Sequence, residues 1–277
     1  LYIGGPEHAV GHLIYSRIWN RFLYDQGLSP VKEPFKKLVH QGMILGENGI
    51  KMGKRFPEFV VNPSDIVRDY GADTLRLYEM FMGPLEVSKP WSSDGVKGAK
   101  KFINRVWNFF TESANITDTD DGKLTKVYHQ TVKKVTTDFE VLGFNTAIAQ
   151  MMVFVNEVYK QGTCPKAYAE GFIKMLSCIS PHICEEIWEI MGHNNTIAYE
   201  SWPTWDESKM KDTEVTMAVQ VNGKMRGTFT IAADSSDEDC VAAAQAEEKV
   251  AKFIAGLPGQ LRKTIVVKNK LVNLIVK

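Results

Sequence analysis

The chain has 277 residues, 44% of them apolar, enough for a sizeable core in roughly two or three domains and too apolar for a disordered chain. Lys plus Arg and Asp plus Glu both number 33, so the formal net charge is zero. Bulk charge therefore announces no polyanionic partner, and any nucleic-acid contact must come from basic residues clustered locally.

Residues 1–93 mix short apolar runs with Gly and Pro punctuation, as an α/β region does. Leu1-Tyr2-Ile3-Gly4-Gly5 reads as the end of a strand entering a glycine turn, with no initiator Met and no signal peptide, so the chain is expected to be a piece of a longer protein. A helix is predicted over residues 7–24, with Val10, Leu13, Ile14, Ile18 and Phe22 at helical spacing. Residues 38–45 form a short buried strand candidate, followed by a turn at Glu47-Asn48-Gly49. Asn62-Pro63-Ser64-Asp65 opens another helix, and residues 73–81 are helical after Gly71.

Residues 94–212 read as helices almost throughout, an antiparallel bundle. Asp94 is the predicted N-cap of a helix whose inner face is Val96, Ala99, Phe102, Ile103, Val106 and Phe110. Leu124, Val127, Tyr128, Thr131, Val132 and Val135 repeat the pattern, as do Phe144, Ile148, Met151, Met152 and Val155. Ser180-Pro181 starts a further helix. In residues 213–277 the period changes to two. Val215, Met217, Val219 and Val221 alternate with polar residues, Asn222-Gly223 marks a hairpin, and Met225, Phe229 and Ile231 continue the alternation. Ser235 and Glu238 suggest a capping box for a helix through Phe253. Strands over residues 264–267 and 271–276 complete a small ββαββ domain.

Cys164, Cys178, Cys184 and Cys240 form no C-x-x-C pair and fit free buried thiols in a reducing compartment. Cys178 and His182 are four apart with Pro181 between them, and no metal site is expected. No apolar run is long enough to span a bilayer, so no membrane partner and a cytoplasmic location are expected.

Three local patterns carry chemistry. Gly4-Gly5-Pro6-Glu7-His8 opens a helix, with His12 a turn further on; glycines admit a ligand to the backbone and a helix start offers free N–H groups. The same pattern also fits an ordinary strand-to-helix turn. Lys51-Met52-Gly53-Lys54-Arg55 sets three cations in five residues on a glycine-bearing loop, suited to phosphate charge or simply to solvent. Residues 261–277 hold Arg262, Lys263, Lys268, Lys270 and Lys277 and no acid, either a basic patch or soluble strand edges guarded by lysines.

In this order, these segments resemble the bacterial-type leucyl-tRNA synthetases, a family of class I aminoacyl-tRNA synthetases. Residues 2–12 are similar to the family's Y-I-G-G-x-E-H-A-x-x-H, and residues 51–55 to the K-M-S-K-S loop. Residues 180–188 are similar to x-P-H-x-x-E-E-x-W of the helical anticodon-binding-type domain, and residues 221–227 and 270–276 to the C-terminal domain. The resemblance implies an α/β plus α plus α+β organisation. A partial Rossmann-type catalytic region with the K-M-S-K-S-type loop would occupy residues 1–93, a helical anticodon-binding-type bundle 94–212, and a tRNA-binding ββαββ domain 213–277.

It also implies a leucine–tRNA ligase using ATP and Mg2+, with leucine and tRNA(Leu) as partners and no obligatory protein partner. Lys51 and Lys54 would be catalytic, stabilising the transferring phosphates. Gly4, Gly5, Glu7, Ile44, Met52 and Lys54 would bind ATP, and Tyr2, His8 and His12 would lie near leucine and the adenylate. Lys224, Arg226, Arg262, Lys263, Lys268 and Lys270 would meet tRNA.

The pattern is departed from in places. Gly53 and Arg55 replace the two serines, the stretch to Val61 is one residue longer, and the leucine-specific insertion before the loop has no room. The H-I-G-H signature of the class is missing, and the chain alone is expected to be inactive in leucine activation. Two other hypotheses remain: a free-standing tRNA-binding module, and a helical scaffold with no nucleotide site.

Overall fold

A computed structural model describes residues 1–211, 214–256, 259 and 261–276. The chain forms two units, Leu1–Asp206 and Glu207–Lys277.

The first unit opens with β1 (Tyr2–Gly4), α1 (His12–Asp25) and β2 (Leu38–His40). β1 and β2 are parallel, from Tyr2 opposite Leu38 to Gly4 opposite His40, so α1 belongs to the crossover that parallel strands require. A second parallel pair, β3 (Ile44–Leu45) with β4 (Lys89–Pro90), encloses α2 (Pro63–Tyr70) and α3 (Ala72–Phe81). The stretch 38–45 is thus two strands. Between them Gly42 passes so close to the Val87 and Ser88 backbone that a Cβ there would overlap it, and the Gly42 N–H donates to Leu85 O at 2.8 Å.

The predicted helix over 7–24 begins late. Pro6–His8 is a 3-10 turn, and α1 starts after Gly11. Of its five apolar positions only Leu13 is buried; Val10, Ile14, Ile18 and Phe22 are exposed, as are Tyr15 and Trp19. Periodicity found the helix, but Val10 lies before its start and three of the four apolar positions inside it are uncovered.

The helical part comprises α4 (Ser93–Phe110), α5 (Thr125–Glu140), α6 (Phe144–Gln161), α7 (Lys166–Ser177) and α8 (Pro181–Ile190), with a two-residue parallel pair, β5 (Ile116–Thr117) and β6 (Cys164–Pro165), at its side. One continuous core joins these helices to α3 and reaches from Leu77 to Ile197. The inward positions read on α4 are all buried. Its N-cap is Ser92 rather than Asp94, with the Gly95 N–H donating to Ser92 Oγ at 3.2 Å; Asp94 sits in the first turn and pairs with Lys97.

Phe110, Phe154 and Phe172 are fully buried, and the Phe172 ring centre lies 5.2 Å from each of the other two. Gly171 lets α7 close on Tyr128 of α5, since a Cβ there would overlap the phenol oxygen. Cys164, Cys184 and Cys240 are buried, and burial pushes the Cys164 thiol up to about 12. Cys178, expected to be buried, is exposed.

Ser180-Pro181 does start α8, but the cap comes from far away. Asp73 of α3 accepts from the Ile183 N–H at 2.7 Å and the His182 N–H at 3.5 Å, and its Oδ1 lies 2.8 Å from His182 Nδ1. Arg76 donates to Ile179 O at 2.9 Å, so α3 also holds the turn that leads into α8. No helix among the described residues is long and apolar enough to cross a membrane.

The second unit is one four-stranded sheet against two helices: β7 (Glu214–Val221), β8 (Lys224–Ala232), α9 (Asp237–Ala246), α10 (Glu248–Ala255), β9 (Leu261–Val267) and β10 (Leu271–Val276). The strand order is β8-β7-β10-β9, with β10 parallel to β7 and the outer pairs antiparallel. Asn222 and Gly223 both take positive φ, as the predicted tight hairpin requires.

Two local expectations change here. The register shifts between Val219 and Gln220, leaving Arg226 unopposed. Met225 therefore turns outward and is 64% exposed, while Phe229 and Ile231 pack on the core. The helix predicted through Phe253 is broken at Glu247, whose carboxylate caps α10 by accepting from the Val250 N–H at 2.7 Å. Its first half is capped by Ser236, not Ser235.

Candidate functional site

A cavity of about 310 Å³ lies where the turn after β1 meets β3 and the end of α3. Gly5, Glu7 and Ile44, all expected at a nucleotide, line it together. Gly5 is buried and lies directly under the Glu7 carboxylate, so a Cβ at Gly5 would overlap that carboxylate. Lys89 N–H donates to Met43 O at 3.0 Å and Trp91 N–H to Leu45 O at 2.8 Å. β4 thus engages Met43 and Leu45, and the Ile44 backbone faces the other edge of the strand.

The remaining walls come from residues the sequence did not single out, among them Gln41, Met43, Glu79, Met82 and Lys89. Burial raises the Glu79 carboxyl and lowers the Lys89 ammonium, and Lys89 Nζ donates to Gly83 O at 2.9 Å. Gly42, a glycine inside an apolar run, was the only sequence sign of this close approach.

The cationic loop is tied to the same strand. Leu45 bridges Lys51, and Gly46 N–H donates to Ile50 O at 2.9 Å. Met52 turns inward, packs against the main core, and its sulfur accepts from the Val61 N–H at 3.4 Å. Lys51, Lys54 and Arg55 are exposed on either side of this anchor. No described residue forms an ion pair with them, and Arg55 lies over the Phe56 ring at 5.4 Å.

Tyr2 and His12 do come together, stacked at 5.5 Å between centroids, and Phe35 and Tyr15 extend the aromatic cluster. His8 stands apart from it, exposed, with Nε2 3.8 Å from Glu7 Oε1. Among the described residues no group of three or more His, Cys, Asp or Glu is placed to hold a metal ion.

The six cations of the second unit are not on one face. Arg226 lies over the Phe253 ring at 3.8 Å on the helix-covered side, and Lys224, opposite the buried Val221, shares that side. Lys263 is opposite Ile275 on the open face of the sheet, and Arg262 sits at a register shift. Lys268 and Lys270 flank Asn269 in the last turn. Lys268 is 3.5 Å from Asp234, an acid outside the basic stretch, whose carboxyl is held below its usual range by the Asn269 amide and by Lys268. Lys277 lies outside the described residues.

Parallel strand pairs with helical crossovers, a glycine-floored cavity and an adjoining lysine loop, followed by a helical bundle, define the architecture of a class I tRNA synthetase. Residues 27–89 match the family described as tRNA synthetases class I (I, L, M and V), and residues 121–242 match the anticodon-binding domain of tRNA ligase. The solved structure of the Agrobacterium radiobacter K84 agnB2 LeuRS, in a ternary complex with tRNA and LeuAMS, is similar over the whole chain, with 32% identity and a TM-score of 0.68. The chain belongs to the leucyl-tRNA synthetases of class I. It covers 37% of the length of that solved chain.

Proposed function

We propose that these residues are part of a leucine–tRNA ligase, which activates leucine with ATP and passes it to tRNA(Leu) in the cytoplasm. The observation that carries the reading is the Leu45–Lys51 bridge, which ties the lysine loop to the strand lining the Gly5–Glu7 cavity. ATP would lie with its adenosine against Gly4, Gly5, Glu7 and the Ile44 backbone, and Mg2+ would arrive with its phosphates. A leucine carboxylate oxygen attacks the α-phosphorus, and the bond to pyrophosphate breaks. Lys51 and Lys54 meet the charge that grows on those phosphates, with Met52 fixing the loop between them. Tyr2, His8 and His12 flank leucine and the adenylate. A hydroxyl at the tRNA 3′ end then takes the leucyl group and AMP leaves.

Much of such an enzyme's rate is positioning, and the 277 residues carry no H-I-G-H segment. Leucine-dependent exchange of pyrophosphate into ATP is therefore expected from the complete enzyme and only at background from this chain alone. Clear exchange by the isolated chain overturns its expected inactivity, and a complete enzyme that responds to another amino acid instead overturns the reading.

The second unit is proposed to meet the tRNA. Lys224, Arg226, Arg262, Lys263, Lys268 and Lys270 would contact phosphates, which are read without much base specificity. Deleting residues 213–277 from the complete enzyme should weaken tRNA binding in a salt-dependent way. It should lower charging and leave pyrophosphate exchange nearly unchanged. Loss of exchange as deep as loss of charging would make the unit a support for the catalytic region. Loss of neither would reduce the basic strands to soluble edges. The free-standing tRNA-binding module is the second reading, favoured by the match of residues 121–242 to an anticodon-binding domain; it predicts no exchange from any longer form.

A further inference from the structure

We propose that the groove between the start of α3, the middle of α4 and the start of α8 receives one unpaired nucleotide of the bound RNA, with Trp107 stacking on its base and Lys100 facing its phosphate. The proposal rests on the tRNA-partner reading above and adds a site to it. α4 (Ser93–Phe110) falls between the matched stretches 27–89 and 121–242, so neither match assigns it a role.

The groove measures about 380 Å³. Its floor is apolar, with Ile103 6% exposed and Ile183 half-buried, and Tyr70 forms part of its wall. Lys100, Asn104 and Trp107 stand at i, i+4 and i+7 and so share one face of α4. All three line the groove. None of these side chains has a hydrogen bond, ion pair or ring partner among the described residues, and Trp107 is 39% exposed.

An amphipathic ring over an apolar floor, an amide and an unpaired cation match the three parts of a nucleotide: base face, base edge and phosphate. Seven residues of helix separate Lys100 from Trp107 by about 10 Å along the axis. A single nucleotide can therefore lie with its base on the indole and its phosphate toward the ammonium.

Charge orients the ligand. Asp73, the acid lining the groove, already has both carboxylate oxygens engaged by α8 N–H groups and His182. Beyond His182 the adjoining groove is lined by Glu185, Glu186 and Glu189, which repel phosphate. The Lys100 end is left as the entry for the backbone.

The test measures equilibrium binding of a tRNA(Leu) transcript, and of a single-stranded oligouridylate of about twelve nucleotides, to the whole chain and three variants across a salt series. Trp107→Ala should weaken both RNAs about tenfold or more, and Trp107→Phe should restore most of the loss, because a ring suffices for stacking. Lys100→Gln should lower the slope of log affinity against log salt by about one phosphate contact. Unchanged melting of the variants separates these effects from unfolding. Wild-type binding of tRNA that both Trp107→Ala and Lys100→Gln leave untouched overturns the groove while the tRNA reading stands. Binding of the oligouridylate alone, lost in Trp107→Ala, supports the groove and overturns tRNA as the partner. Absence of binding to either RNA overturns both.

Discussion

Lys54→Ala, in a complete enzyme built on these residues, is expected to lower kcat for leucyl-adenylate formation by about 10²–10³-fold while changing the KM for leucine little. The expectation follows from where Lys54 sits. It lies two residues past the inward-anchored Met52, on a loop bridged to the cavity strand, and no described carboxylate pairs with it. In the proposed reaction its charge would meet the phosphates, whose negative charge peaks as pyrophosphate leaves. A contact strongest at that moment lowers the barrier without tightening leucine in the ground state. Steady-state kinetics of pyrophosphate exchange read both constants. A steep rise in the leucine KM at constant kcat would remove Lys54 from the phosphates. Arg55, held over Phe56, is expected to tolerate alanine far better than Lys54.

Phe172→Ala should cost about 3–5 kcal/mol of unfolding free energy, because it removes a large side chain from a site that cannot collapse. Phe172 is fully buried and is flanked by Phe110 of α4 and Phe154 of α6, both also fully buried. Three helices would have to shift together to close the void. A loss of this size is a large share of a typical domain's stability, so urea unfolding followed by helical circular dichroism should show it clearly. Phe22→Ala provides the contrast, since Phe22 is 51% exposed on α1 and its loss should be small. A Phe172→Ala midpoint close to wild type would mean that the three rings do not form the packed centre of the bundle.

What could be read from the sequence was mostly what one element decides by itself. The inner face of α4, the Asn62-Pro63 start of α2 and the Asn222-Gly223 hairpin depend on residues a few positions apart, and each appears where expected. What could not be read needs a partner distant in sequence. Met225 is turned out by a register shift set on the neighbouring strand. The break at Glu247 accompanies Gly227, where a Cβ would overlap the Glu247 carboxylate. The glycine turn and the lysine loop were visible as motifs, but Glu79 and Lys89 carry no motif and become cavity walls only once α3 and β4 are brought together. The spread of the six cations of the second unit between the two sheet faces, a register shift and the last turn likewise follows from pairing and bulges, not from spacing.

The Asp73 cap on α8 has a consequence for the order in which the first unit assembles. Isolated helices of ten residues are marginal in water, and α8 has ten. Its leading amide groups find their acceptor 109 and 110 positions upstream, a contact that closes only after the intervening chain has condensed. α8 is therefore expected to be a late element, completed when α3 docks. Weakening the contact by Asp73→Ala should chiefly speed unfolding and leave the folding rate nearly unchanged, the signature of an interaction absent from the transition state. A nascent chain that has already made α3 must hold that carboxylate in water until more than a hundred further residues have emerged.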